Sequence, residues 1–357
     1  MATAFALKSL PTPQTDLAAC REMLCCGSRS FYLASFLLPA PLRTSACCLY
    51  AFCRAADDAV DEGDEPLAAL ATLMRRLDAV YAGEPEDHSV DRALALIVVQ
   101  HRLPRELLDA LLEGFSWDAS GRRYQTLSEV LDYSARVAGA VGILMSLLMG
   151  VRSPNALARA ADLGAAMQLT NIARDVGEDA RAGRLYLPLD WLREAGIDGE
   201  AFLARPEKNS AIASVTRRLV EEANTLYERA DSGIAELPRN CRRGIYAARL
   251  LYAEIGNRLG ELEFDSVSQR AIVGKSNKAA LLLKTHAANT LSTRYLSAPL
   301  LPESAFLIEA VSAVDAESTG ADNKHLKAFA SSFYHRVLWM LDLFEAQDQR
   351  RGKTSSP

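Results

Sequence analysis

Apolar positions along this 357-residue chain recur every three to four residues, and the strict alternation of a strand face is nearly absent. The pattern predicts an all-α protein, a single large helical bundle. Helices are expected over residues 16–26, 41–61, 66–82, 90–101, 104–116, 127–150, 155–175, 189–195, 210–235, 241–261, 275–287 and 324–346. Pro41, Pro66, Pro104 and Pro154 stand at or near four of these starts, where the missing N–H of proline costs nothing. Loops are marked at 83–87, 182–184, 205–209, 298–303 and 315–323.

The longest uncharged apolar stretch, Val137 to Val151, has fifteen residues and contains Gly139, Gly142 and Gly150. A bilayer span needs roughly 18 to 20, so a buried helix is the better reading. The chain divides into a flexible N-terminus (1–15), a helical domain (16–290), an extension (291–346) and a disordered tail (347–357). The extension ends in an amphipathic helix carrying Leu326, Phe329, Phe333, Val337, Met340, Leu341 and Phe344. That helix is expected to dock on the bundle; a membrane-surface or partner-binding role is the alternative.

Composition narrows the class. With 49% hydrophobic and 24% charged residues, global disorder, collagen and a disulfide mini-scaffold are excluded. Forty basic against 45 acidic side chains leave a net charge of −5, without the basic excess that nucleic acid draws on. Seven cysteines is an odd number, and Cys25, Cys26, Cys47, Cys48 and Cys53 lie in apolar helical stretches. They read as small hydrophobes in a reducing compartment rather than as zinc ligands. Met1 to Thr15 lacks the pattern of a signal peptide, so the expected location is cytoplasmic, with peripheral attachment to the inner face of the membrane as a variant.

Charge patterning is where chemistry enters. Residues 57–65 (DDAVDEGDE) carry six carboxylates in nine positions with no base. Such a run is usually a solvated helix end. The preceding helix, however, is apolar nearly all round, and its one polar stripe is Tyr50, Arg54, Asp57 and Asp61. A buried helix that turns charges inward needs partners or metal. The second segment repeats this logic: Gln168, Asn171, Asp175 and Asp179 form one stripe on an otherwise apolar helix, with Arg174 and Glu178 beside it. Two such stripes facing one cavity would make a carboxylate metal site of the kind built in helical bundles. Oxygen ligands without nearby His or Cys select Mg²⁺, with Mn²⁺ as the alternative, and Mg²⁺ so held completes its shell with water and phosphate. Arg54 and Arg174 beside a metal imply an anion between them, and a diphosphate is the anion preferred over a structural ion-pair network. Around this site the expected lining is apolar and aromatic: Phe31, Tyr50, Tyr133, Val137 and Gly142. A greasy, water-excluding cavity beside diphosphate chemistry is what a carbocation reaction on a long isoprenoid requires.

Four ordered segments, GSRSFYLAS (27–35), DDAVDE (57–62), NIARDVGED (171–179) and GRLYLP (183–188), resemble the signature segments of the squalene and phytoene synthase family. The resemblance covers about residues 17–290, and CLYAFCRAADDAVDEGD is most similar to the bacterial, carotenoid-forming members. It implies an isoprenoid synthase fold of class I. It also implies a head-to-head condensation of two prenyl diphosphates, geranylgeranyl diphosphate in the carotenoid branch, through a cyclopropylcarbinyl diphosphate to phytoene. On the same footing Asp57, Asp61, Asn171, Asp175 and Asp179 would bind metal. Gly27, Ser28, Arg29 and Ser30 would contact diphosphate together with Arg54 and Arg174, while Tyr252 and Arg270 match a less distinctive C-terminal pattern and would bind substrate. Tyr50, Tyr133 and Gln168 would line the reaction chamber, and Phe31, Val137 and Gly142 would face the prenyl tails.

The family's pattern weakens after Arg270 (QRAIVGKSNKAALLL, 269–283), and the extension lies beyond it. There is no glycine-rich dinucleotide fingerprint, so no NADPH is expected. The rival on the same fold is a squalene- or dehydrosqualene-type synthase using farnesyl diphosphate, and the rival from another class is a non-catalytic helical assembly protein. The product would be an apolar hydrocarbon, which suggests transient association with a membrane or with another enzyme of carotenoid synthesis.

Overall fold

The structure is a computed structural model and describes residues 13–27, 35–61 and 65–317. Among these residues there are helices and turns and no strand, in keeping with the class I isoprenoid synthase fold expected from the sequence. The helices are α1 (Pro13–Gly27), α2 (Ala40–Asp61), α3 (Pro66–Tyr81), α4 (Ser89–His101) and α5 (Arg105–Ala119), followed by α6 (Leu127–Leu148) and α7 (Pro154–Arg181). Two short ones, α8 (Leu189–Glu194) and α9 (Gly199–Ala204), lead into α10 (Ser210–Ile234), α11 (Arg239–Glu261), α12 (Lys275–Lys284) and α13 (Ala305–Glu317).

Helix starts are chemically marked. Thr126, Asp198 and Asn209 cap α6, α9 and α10 by accepting hydrogen bonds from the N–H groups of Glu129, Ala201 and Ile212. Pro66 and Pro154 occupy the first turns of α3 and α7.

The centre of the bundle is α7, covered by α10, α6 and α11. Its sequence, rich in alanine and glycine, lets these neighbours approach closely. A β-carbon on Gly164 would fall 2.2 Å from the Ala138 carbonyl oxygen of α6, and one on Gly142 of α6 would fall 2.3 Å from that of Ala160. At this crossing α6 is not regular, because Ala135–Gly139 wind as a π turn. On the other side α2 packs against α1, α3, α4 and α5, burying Cys48, Leu49, Ala51, Phe52 and Ala56. All seven cysteines are free thiols.

Three differences from the sequence expectation have physical causes. First, α6 has 22 residues, so it is long and apolar enough to cross a bilayer, but 56% of its most apolar window is buried inside the protein. Second, α7 does not stop at 175: it kinks there (φ −107°, ψ 16° at Asp175) and continues two turns to Arg181. Third, α9 and α13 arise where no helix was expected. The α13 sequence, AFLIEAVSAVDAE, is too uniformly apolar to show a helical stripe, yet Leu307, Ile308 and Val311 are buried. Its Asp315 accepts a hydrogen bond from Arg152 at 2.6 Å. The expected helix at 324–346 lies outside the described residues.

Candidate active site

One cavity of about 740 Å³ opens between α2, α5, α6, α7 and α11. Its walls divide by polarity. The α2 stripe contributes Tyr50, Arg54 and Asp57, and α7 contributes Gln168, Asn171, Arg174, Asp175 and Asp179. Much of the remaining lining is apolar, with Leu49, Cys53, Leu111, Phe115, Val137, Val141 and Met145. Cys53 belongs to this part: burial and the Asp57 charge push its thiol up to about 12, so it remains protonated.

Both carboxylate groups stand near helix C-termini, where the macrodipole places partial negative charge and disfavours an anion. Arginines compensate. Arg54 bridges Asp57 at 3.3 Å and Asp58 at 2.5 Å. Asp175 is held from two sides: Arg174 pairs with both its oxygens, and Arg270 donates to the same oxygens at 3.0 and 3.3 Å. Arg270 also reaches Glu178 at 3.4 Å. Compensation is incomplete at Asp179, whose carboxyl is pushed up to about 7 by burial and then by the Asp175 charge, against the pull of Arg184. Asn171 donates to Gln168 at 3.4 Å, while its Oδ1 is buried without a partner. Among the described residues, no three acidic, histidine or cysteine side chains already converge on one point. An orphaned buried oxygen, a carboxyl destabilised by its neighbours and an all-oxygen donor set nevertheless fit a divalent cation.

A second polar feature was not anticipated. Asp118 of α5 lines the cavity and accepts hydrogen bonds from Tyr133 at 2.8 Å and Tyr186 at 2.7 Å. The two rings stack 5.2 Å apart, and Tyr124 lies 5.4 and 6.0 Å from them. Burial, followed by the Asp118 charge, raises the phenols of Tyr133 and Tyr186 above their ordinary value, so they are donors throughout the physiological range. Gly183, at φ 76°, turns the chain after α7 and returns Arg184 and Tyr186 to the cavity.

The structure thus brings together Tyr50, Arg54, Asp57, Tyr133, Val137, Gln168, Asn171, Arg174, Asp175, Asp179 and Arg270. Two expected residues are placed elsewhere. Gly142 does not line the cavity; it faces the α7 backbone, where any side chain would collide. Tyr252 of α11 lies behind the wall, close enough to feel the charges of Arg174 and Asp175. Asp61 ends α2 and Gly27 ends α1, but the Asp61 side chain and the surroundings of Gly27 are not described, and Ser28, Arg29, Ser30 and Phe31 lie outside the described residues. Among residues that sequence reasoning missed, Asp118 is a lone acid with no pattern around it. Tyr186 sits in the GRLYLP segment and could have been chosen from it.

With this geometry in view, comparisons with known proteins are specific. The model of the squalene/phytoene synthase family matches residues 26–277. The chain is 50% identical over 305 residues to the phytoene synthase of Rhodobacter capsulatus, covering 83% of this chain and 90% of that one. The phytoene synthase of Cereibacter sphaeroides is 50% identical over 310 residues, with 83% and 87% covered. Among solved structures, a dehydrosqualene synthase in complex with ligand superposes with a TM-score of 0.70 at 30% identity, over 77% of this chain and 96% of that one. A squalene synthase from Alicyclobacillus acidocaldarius, with a TM-score of 0.66 and 24% identity over 71% and 95%, shares the fold.

Proposed function

The chain belongs to the squalene/phytoene synthase family, and from that premise we propose that it is a phytoene synthase, a prenyl transferase of carotenoid synthesis that condenses two geranylgeranyl diphosphates head to head. One observation carries the reading: a single cavity of about 740 Å³ is lined both by the carboxylates and arginines of two helical stripes and by apolar and aromatic side chains.

The family normally uses divalent metal, and the residues that would hold it are Asp57 and Asp61 of α2 with Asn171, Asp175 and Asp179 of α7. Mg²⁺ is the expected ion, and when bound it neutralises charge developing on the leaving diphosphate. The protein's own groups do the rest. Arg54, Arg174 and Arg270, now paired with carboxylates, are placed to exchange those partners for diphosphate oxygens. Phe115, Val137, Val141 and Met145 keep water from the cationic intermediates, which would otherwise be quenched to alcohols. The faces of Tyr50, Tyr133 and Tyr186 offer negative π density to a positive carbon, and Asp118 fixes the orientation of the last two.

Purified protein incubated with Mg²⁺ and geranylgeranyl diphosphate, in parallel with farnesyl diphosphate without and with NADPH, is tested by mass analysis of a hexane extract. A C40 hydrocarbon from the first substrate without reductant is expected. A C30 product from farnesyl diphosphate alone would move the protein to the squalene branch, and no product from either would return it to the non-catalytic reading.

A further inference from the structure

The segment that delivers Arg270 to the site crosses α7 between its two carboxylates, and its construction points to a purpose. After α11 the chain reverses through Glu263 and Phe264, both in the left-handed region at φ 54° and 59°. Two consecutive non-glycine residues in that region are strained, so the surroundings must enforce the turn. Beyond the turn the chain winds around one carboxylate. Asp265, only 2% exposed, accepts hydrogen bonds from the N–H groups of Val267 at 3.2 Å and Ser268 at 3.0 Å, and from the Ser268 hydroxyl. Lys208 pairs with it at 3.1 Å, and Gln269 reaches it at 3.4 Å.

The coil so formed is seated on α7. The N–H of Gly177 donates to the Ser266 carbonyl at 3.0 Å, and Arg181 donates to the Val267 carbonyl at 2.6 Å. Contact at Gly177 leaves no room for a side chain: a β-carbon would fall 2.4 Å from the Val267 carbonyl oxygen and 2.6 Å from its Cα. This seat lies two residues beyond Asp175, where α7 kinks, and two before Asp179. Three residues past Val267, Arg270 closes on both oxygens of Asp175.

We propose that residues 265–270 are a strap whose function is to position Arg270 at the diphosphate end of the cavity, with Asp265 as the residue that winds it and Gly177 as the residue that seats it. Neither touches substrate; both are positioning residues that act through Arg270. The proposal rests on the reading of Asp175 and Arg270 as the diphosphate end of a prenyl transferase site.

The test uses the full-length chain and calorimetric binding of inorganic diphosphate in the presence of Mg²⁺. Asp265→Ala and Gly177→Ala are measured alone and combined with Arg270→Ala, with Asp265→Asn as the conservative variant. Each single change is expected to weaken diphosphate binding about 10- to 100-fold, the loss associated with one charge-assisted contact. Adding Arg270→Ala should then cost nothing more, because residues that act as one unit are not additive. Asp265→Asn keeps one oxygen for the Val267 and Ser268 N–H groups and should recover part of the loss. If Asp265→Ala fails to fold, Gly177→Ala and Asp265→Asn carry the same comparison. Losses that multiply with Arg270→Ala, or wild-type affinity in the folded single variants, overturn the strap while leaving the site reading intact. Unchanged affinity in Arg270→Ala alone overturns the reading of the diphosphate end itself, and the strap with it.

Discussion

The two acidic stripes have nearly the same pattern, aspartates four apart on an apolar helix, but very different mountings. Asp57 sits near the end of α2 with its side chain 43% exposed and Arg54 of its own helix as the cation beside it. Asp175 is 15% exposed and is gripped by Arg174 from its own helix and Arg270 from a distant segment. The helix around it is kinked and fastened at Gly177 and Arg181. The same two-carboxylate signature therefore describes one stripe that rides on a helix end and another that is built into the tertiary structure. Spacing along a helix does not reveal how firmly a carboxylate pair is anchored to the rest of the fold.

Removing the carboxylates tests this contrast most forcefully. Asp57→Ala and Asp175→Ala should each lower turnover about 10³-fold or more, since either loss removes electrostatic support for the leaving group. Their stabilities should diverge. In urea unfolding, Asp57→Ala should stay within about 0.5 kcal/mol of the wild type, as for other half-exposed pairs. Asp175→Ala, which strands the largely buried Arg174 and takes from Arg270 all but its Glu178 contact, should lose about 1–3 kcal/mol. Equal losses would erase the distinction.

A smaller effect is expected at the tyrosine wall. Asp118→Asn leaves Tyr133 and Tyr186 competing for one good acceptor, and turnover should fall about 10- to 100-fold with little change in diphosphate affinity, as steady-state kinetics would reveal. A large loss of diphosphate binding in this variant would mean that the wall and the anion end are not separable.

Smallest, and confined to the metal-free protein, is the pH signature of the built-in stripe. Asp179 has its folded pKa raised to about 7, so the fold favours the protonated acid. Stability from this group is greatest below the ordinary carboxylate range, declines as pH rises toward 7, and is not recovered above it. Asp179→Asn removes that slope. Its melting temperature should match the wild type near pH 4 and exceed it at pH 8, by about 2–4 °C for each kcal/mol relieved. A wild-type curve parallel to that of the variant would show that the charge is already compensated.

How much of this was legible in the sequence depends on where each feature originates. Stripes on one helix, such as Tyr50, Arg54 and Asp57 or Gln168, Asn171, Asp175 and Asp179, are fixed by helical spacing, so their convergence could be anticipated. Arg270 came from the resemblance, and the structure puts it on Asp175, 95 residues away. What was illegible arises between elements. Asp118 matters because two tyrosines from other segments point at it. Gly142 reads as a small residue in an apolar run, equally suited to a cavity wall or a close helix crossing, and only the position of α7 decides for the crossing. The continuation of α7 to Arg181 was legible in the stripe that reaches Asp179, though not in the helix range ending at 175; what no sequence pattern shows is the segment 266–267 that bonds to Gly177 and Arg181.

The π turn in α6 carries one more consequence. Tyr133, Val137 and Val141 line the cavity, with Met145 beyond them, each four residues after the last. In a regular α-helix three steps of four drift about 120° around the axis, and the wider turn at Ala135–Gly139 takes up part of that drift. Straightening that turn into a regular helix with every residue kept would rotate everything beyond it by up to about 100°, carrying Val141 and Met145 away from the cavity wall. For anyone redesigning this scaffold, the locally preferred helix is the wrong one: the irregularity sets the phase between Tyr133 and the Val141 and Met145 positions on the cavity wall.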